Sequence, residues 1–306
     1  MRLAALLLVT AAAGAADGSS LAVERGGAWR AWWRADRAPV RWTAPLPAVA
    51  EAVEWRTAQP GVEWGTIRLS GTGEAWRLRA IVLRLDPASL RIRLVAPAER
   101  RAGERRRSPI RWSLADAPAE AVVALNAGQF GANGPWGWVV REGTERQAPG
   151  RGPLAPAVVV DRDGRVRIVP ADSIEAVRAA GTAVEAFQSY PALLSGDGEV
   201  PAALRTEGAG VDLRHRDSRL AIGELRDGRL LIVLTRFEGL GGVLDNLPFG
   251  LTTPEMAALM GALGASRAVL LDGGISSQML LRTAGGKEER WEGMRYVPLA
   301  LSVEGR

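Results

Sequence analysis

Gly250 to Leu280, GLTTPEMAALMGALGASRAVLLDGGISSQML, reads as a capped helix, a stop, a buried strand and a turn of small residues. Thr252 and Glu255 have capping-box spacing, Pro254 sits in the first turn, and Met256, Leu259, Met260 and Leu263 recur at helical intervals. Gly264 predicts the end of that helix. The apolar run Ala268 to Leu271 has the length of a buried strand and carries Asp272 to the edge of a sheet. Gly273 and Gly274 let a second backbone or a ligand come close, and Ser276, Ser277 and Gln278 add neutral hydrogen-bonding groups. Asp272 is therefore either a reacting carboxylate at a strand end or the capping residue of a tight turn.

A second segment has the same design. In AVVALNAGQF, Ala121 to Phe130, an apolar strand ends in Asn126 and small residues follow. Further on stand QSYPALL (Gln188 to Leu194) and SRLAIGEL (Ser218 to Leu225), ahead of LLDGGISS (Leu270 to Ser277). In this order the four segments resemble the motifs of the phosphodiester glycosidases, the family related to the lysosomal uncovering enzyme. The resemblance runs from about Val122 to Val303. This chain departs from the family pattern at Ala127, Gln129, Tyr190 and Ile275, and it has Thr235-Arg236 where many relatives have Asp-Gly.

The resemblance implies catalytic roles for Asp272, Arg219 and Asn126. Cleavage at the anomeric carbon of a sugar 1-phosphodiester needs stabilisation of an oxocarbenium-like centre, an attacking water or carboxylate, and neutralisation of the departing phosphate. Asp272 is expected to serve the sugar side, as nucleophile or as base for water. Arg219 is expected to clamp phosphate, since a guanidinium matches two phosphate oxygens. Asn126 is expected to hold sugar hydroxyls or an acetamido group. Gly128, Gln188, Gly273, Gly274, Ser276 and Ser277 are expected to contact substrate. Arg236 competes with Arg219 as a phosphate ligand. Glu238 and Asp245, in the Gly-rich stretch FEGLGGVLDNLPFG, are candidates for a second carboxylate or simply solvated loop charges.

Composition narrows the field. The chain has 306 residues, a 47% hydrophobic content, a net charge of +5 and no cysteine. Disulfides, thiol nucleophiles and Cys-ligated zinc are thereby excluded. His215 is the sole histidine, which rules out multi-histidine zinc sites, and its place between arginines in VDLRHRDSR reads as a surface loop. No cofactor is expected; a metal here needs oxygen ligands, which means Ca²⁺ or Mg²⁺. Of the 39 basic residues only Lys287 is lysine. The cluster Arg100, Arg101, Arg105, Arg106 and Arg107 reads as a solvated loop or an anion-binding patch. No nucleic-acid motif accompanies it, so the expected partner is a carbohydrate or sugar-phosphate substrate and not nucleic acid.

The start MRLAALLLVTAAAGAADG combines Arg2, an apolar stretch and an Ala13-x-Ala15 pattern, which predicts a signal peptide over residues 1–16 and a secreted or periplasmic protein with no later membrane span. Residues 17–110 read as a Trp- and Arg-rich β extension: an irregular lead-in broken by Pro39, Pro45 and Pro47, then alternating strands from Val62 to Leu94. Its tryptophans either stack on sugars or pin the segment to the core. Residues 111–306 read as the phosphodiester glycosidase-like domain, with hairpins across Asp163-Gly164 and Asp227-Gly228 and a short helix capped by Asp172 and Glu175. Strands and hairpins outnumber helices, so the fold class is α+β, with a mixed, largely antiparallel sheet core and a few packed helices. The function expected is an exported hydrolase of sugar 1-phosphodiesters. The alternatives are a glycan-binding protein without turnover and a basic envelope scaffold that uses the Trp/Arg-rich start.

Overall fold

The computed structural model describes residues 18–97, 111–239 and 249–306; the leader, the Arg100 to Arg107 cluster and Asp245 lie outside the described residues. Among the described residues, three antiparallel sheets and a two-stranded ribbon make up the fold, with few helices, in agreement with the α+β reading. Every strand pairing among the described residues is antiparallel.

The largest sheet has nine strands. From one edge they run Ala192–Leu194, Ala265–Leu270, Leu220–Leu225, Leu230–Phe237, Leu78–Leu85, Val62–Gly71, Ser20–Arg25 and Ala28–Arg34, with Arg56–Gln59 paired beside Val62–Gly71. Period-two alternation in its central strands divides the core in two. Leu231 and Val233 face one apolar cluster, with Ala80, Val82, Ala268 and the helix Thr253–Ala262. Leu230, Ile232 and Leu234 face the other, with Ile81, Leu83, Ile222 and Val269. There they meet Val123, Leu125, Met279 and Leu301 of a five-stranded sheet, ordered Glu288–Trp291, Met279–Arg282, Ala121–Asn126, Ala300–Gly305, Leu90–Val95. Val158 and Phe187, from the other five-stranded sheet, join the same cluster. Strands buried on both faces explain why these segments read as unbroken apolar runs.

Helix Thr253–Ala262 opens with the expected capping box: Thr252 Oγ1 accepts from Glu255 N–H at 3.3 Å, and Glu255 Oε2 accepts from Thr252 N–H at 2.9 Å. Gly264 follows at φ +100°. Met256, Leu259 and Met260 are buried, as is nearly all of the rest of the helix. Trp42 covers its outer side so closely that a Cβ on Gly261 would lie 2.2 Å from the indole. The helix Ile174–Ala180 behaves differently from its expected cap. No side chain caps its N-terminus, because a 3-10 turn, Ala171–Ser173, precedes it and the Ser173 hydroxyl donates to Asp172 at 3.0 Å.

The N-terminal segment holds a hairpin, Ser20–Arg25 with Ala28–Arg34, where the sequence suggests irregular chain. Trp33 and Trp42 are in the core, Trp64 meets Trp291 edge-on, and Arg84 lies over Trp55 at 3.6 Å. These tryptophans pin the segment to the body of the protein. No helix among the described residues is long and apolar enough to cross a membrane.

Candidate active site

The four motif segments converge on two adjoining cavities that share His215 on their rims. One, of about 590 Å³, is lined by Gln129, Tyr190, Pro191, Arg219 and Leu270, so that each motif contributes, together with Trp136, Arg151 and Asp212. The other, of about 660 Å³, holds Asp272, Gly273, Gly274 and Ser276, with Asp217, Arg295, Arg214, Glu74 and the apolar Phe249 and Ile275. Both volumes suit a small-molecule ligand.

Strand Ala265–Leu270 delivers Asp272 as the sequence suggests. The backbone beyond it is held against the start of strand Leu220–Leu225: Gly274 N–H donates to Ser218 O at 2.8 Å. Gly273 permits this approach, since a Cβ there would lie 2.7 Å from Ser218 O. Gly274, at φ +59°, would place a Cβ 2.5 Å from Asp217 Oδ2. Two glycines thus bring two carboxylates to one cleft. Burial pushes the Asp272 carboxyl up, the Ser276 hydroxyl and Arg295 oppose the rise, and the charge of Asp217 adds to it. Burial likewise raises Asp217, against the pull of Arg219, the Ser218 amide and His215.

Asn126 is fully buried. Its Nδ2 donates to Asp272 O and its Oδ1 accepts from Gln278 N–H, both at 2.9 Å. It fixes the Asp272 turn rather than facing a cavity. Arg219 lines the first cavity; its Nε donates to Leu251 O at 2.9 Å and one Nη to His215 O at 2.6 Å. Asp272 and Arg219 therefore stand in adjacent cavities and not in one.

The remaining expected contacts divide. Gly273, Gly274 and Ser276 line the cleft, whereas Ser277 is fully buried. Gly128 lies under the Gln188 carbonyl, which a Cβ would approach to 2.5 Å. The Gln188 amide is absorbed by the backbone of Trp138, Gly150 and Ala155. Arg236 is buried and donates to the Ser218 hydroxyl and to the carbonyls of Ser277 and Glu292. Glu238 is ion-paired with Arg79 and Arg68, away from the cleft lining.

Sequence reasoning missed Asp217 and Arg295. Asp217 stands two residues before Arg219, and a carboxylate at the entrance of a motif strand was its available signal. Arg295 enters from the segment after strand Glu288–Trp291, with its guanidinium 4.8 Å from the Phe130 ring centroid; it carries no local signal. His215 is exposed, as expected of a surface loop, but its Nε2 comes 3.5 Å from Asp217 Oδ2 at the shared rim. The loop is anchored by Arg216, whose two terminal nitrogens meet both oxygens of the buried Glu255 at 2.6 and 2.8 Å.

A family model described as phosphodiester glycosidase matches residues 119–304. The catalytic domain of zebrafish N-acetylglucosamine-1-phosphodiester alpha-N-acetylglucosaminidase, auto-inhibited by its pro-peptide, is similar in fold: 16% identity, TM-score 0.59, covering 88% of this chain and 96% of that one. A hypothetical protein from Synechocystis shows 18% identity and a TM-score of 0.54 over 94% of this chain and 72% of its own. No curated protein matches the sequence.

Proposed function

The chain belongs to the phosphodiester glycosidase family, and on that premise we propose that it is an exported hydrolase that cleaves the glycosidic bond of a sugar 1-phosphodiester. The observation that carries this reading is the convergence of all four motif segments on two adjoining cavities with Asp272 at a strand end. Asp272 directs water at the anomeric carbon. Arg295, whose charge favours ionised Asp272 and which lines the same cleft, meets the phosphate. Arg219 acts by holding the backbone of Leu251 and of His215, the residue that lines both cavities. The export part of the proposal rests on the leader sequence Met1 to Ala16.

The test is hydrolysis of a panel of sugar 1-phosphodiesters in ¹⁸O-labelled water by the mature protein. Label in the released sugar supports C–O cleavage at the anomeric carbon; label in the phosphate makes the protein a phosphodiesterase. Asp272→Asn is expected to lose at least about a thousandfold in kcat while keeping its thermal midpoint, and full activity in that variant removes Asp272 from the chemistry. A protein that binds glycans saturably yet turns over none of the panel fits the binding-protein alternative.

A further inference from the structure

Cleavage of the anomeric C–O bond leaves a second negative charge on the phosphate, in a cleft that already contains Asp272. An ionised second carboxylate there would repel the leaving group, whereas a protonated one would donate to it. Asp217 is the carboxylate the fold places beside the Asp272 turn. Its Oδ2 packs against Gly274 of the Asp272 turn, where a Cβ would lie 2.5 Å away, and both aspartates line the same cleft. The position is rigid: Asp217 N–H donates to Leu251 O at 3.2 Å, and Asp217 Oδ1 accepts from Ser218 N–H at 2.8 Å. Oδ2 is left facing the cleft and His215.

We infer that Asp217 is the second catalytic carboxylate, carrying the proton that is handed to the phosphate oxygen as the glycosidic bond breaks. This assignment rests on the glycosidase reading above. As the C–O bond breaks, its electron pair goes to the phosphate oxygen, which takes the proton of Asp217. The anomeric carbon gains the oxygen of water, whose proton goes to Asp272. The pair holds one proton before and after the step, and one transfer between the carboxyls resets it. The products are the free sugar and a phosphomonoester.

The groups around this proton come from several elements. His215 and Arg219 flank Asp217 on its own segment, and Arg214 also lines the cleft. Asp272 lines the same cleft from the neighbouring turn, Arg295 from the segment after strand Glu288–Trp291 and Glu74 from the 3-10 turn Gly73–Ala75. The surroundings are thus mixed in charge, and the raised carboxyls of both aspartates agree with a shared proton.

The experiment is a pH–rate profile of wild type, Asp217→Ala, Asp217→Asn and His215→Gln on one sugar 1-phosphodiester. Wild type is expected to lose rate on the alkaline side as the shared proton is lost. Asp217→Ala is expected to lose about a hundredfold in kcat with KM changed only a few-fold. Asp217→Asn keeps the acceptor for Ser218 N–H and a neutral donor, so it should fold and lose less; its alkaline limb should vanish, while that of His215→Gln persists. An Asp217→Asn profile with the wild-type alkaline limb intact overturns the assignment, as does loss of that limb in His215→Gln alone. A wild type that turns over no phosphodiester at any pH overturns the glycosidase reading itself, and the catalytic role of Asp217 with it.

Discussion

Glu185 shows how a single residue can set the pH response of this fold. It sits on strand Ala183–Gln188, its Oε1 accepts from Glu142 N–H at 3.4 Å, and its buried Oε2 has no hydrogen-bond partner among the described residues. Burial raises its pKa from 4.5 to about 7, with backbone amides and Arg141 opposing the rise. A carboxyl raised on folding contributes stability that is complete below the unfolded pKa and is lost as pH climbs through the folded value. Thermal midpoints should therefore fall between pH 4.5 and about 7 in the wild type. Glu185→Gln should flatten that limb and melt higher than wild type at pH 8; an unchanged limb would show that Glu185 is not its source. In the site itself, residue types were legible where chemistry follows a strand, as at Asp272. The roles of Asn126 and Gln188 were not, because an amide satisfied by distant carbonyls reads the same in sequence as one that meets a ligand.

At the scale of elements, the helix Thr253–Ala262 does more than fill space. Glu255 closes its capping box and also takes the two-toothed ion pair from Arg216, so one buried carboxylate holds both the helix start and the loop that carries His215 and Asp217. Truncating it leaves a mostly buried guanidinium without its partner, and loss of one member of such a pair costs about 3 kcal/mol or more. Glu255→Ala should lower stability by that amount in denaturant titration, and the folded fraction should also lose activity because Asp217 is no longer held. Equal specific activity in the folded variant would show that the loop is positioned by other contacts. The capping box was visible as Thr252-x-x-Glu255 spacing; Arg216 as its second partner was not, since the pair spans 39 positions along the chain.

Over the whole molecule, the first part of the chain is woven into the later part. Strand Leu78–Leu85 pairs along its full length with Leu230–Phe237, every residue of which is buried, and Leu90–Val95 pairs with Ala300–Gly305. A chain beginning at residue 111 would expose both paired edges and the apolar faces around them, and such edges template aggregation. That truncation is expected to elute as aggregate in size-exclusion chromatography; a monomeric, cooperatively melting product would show that residues 111–306 fold alone. The sequence by itself determined the strands that lead to Asn126 and Asp272, the hairpins across Asp163-Gly164 and Asp227-Gly228, the capped helix Thr253–Ala262 and the family. Apolar period, turn glycines and motif order are local properties of the chain. The tertiary structure alone decided that Asp217 shares a cleft with Asp272, that Arg295 enters it, that Arg219 and Gln188 spend hydrogen bonds on backbone, and that Arg236 donates to carbonyls and the Ser218 hydroxyl. Each of those facts depends on which segments the sheets bring together, and pairing across long stretches of chain leaves no mark at any one residue.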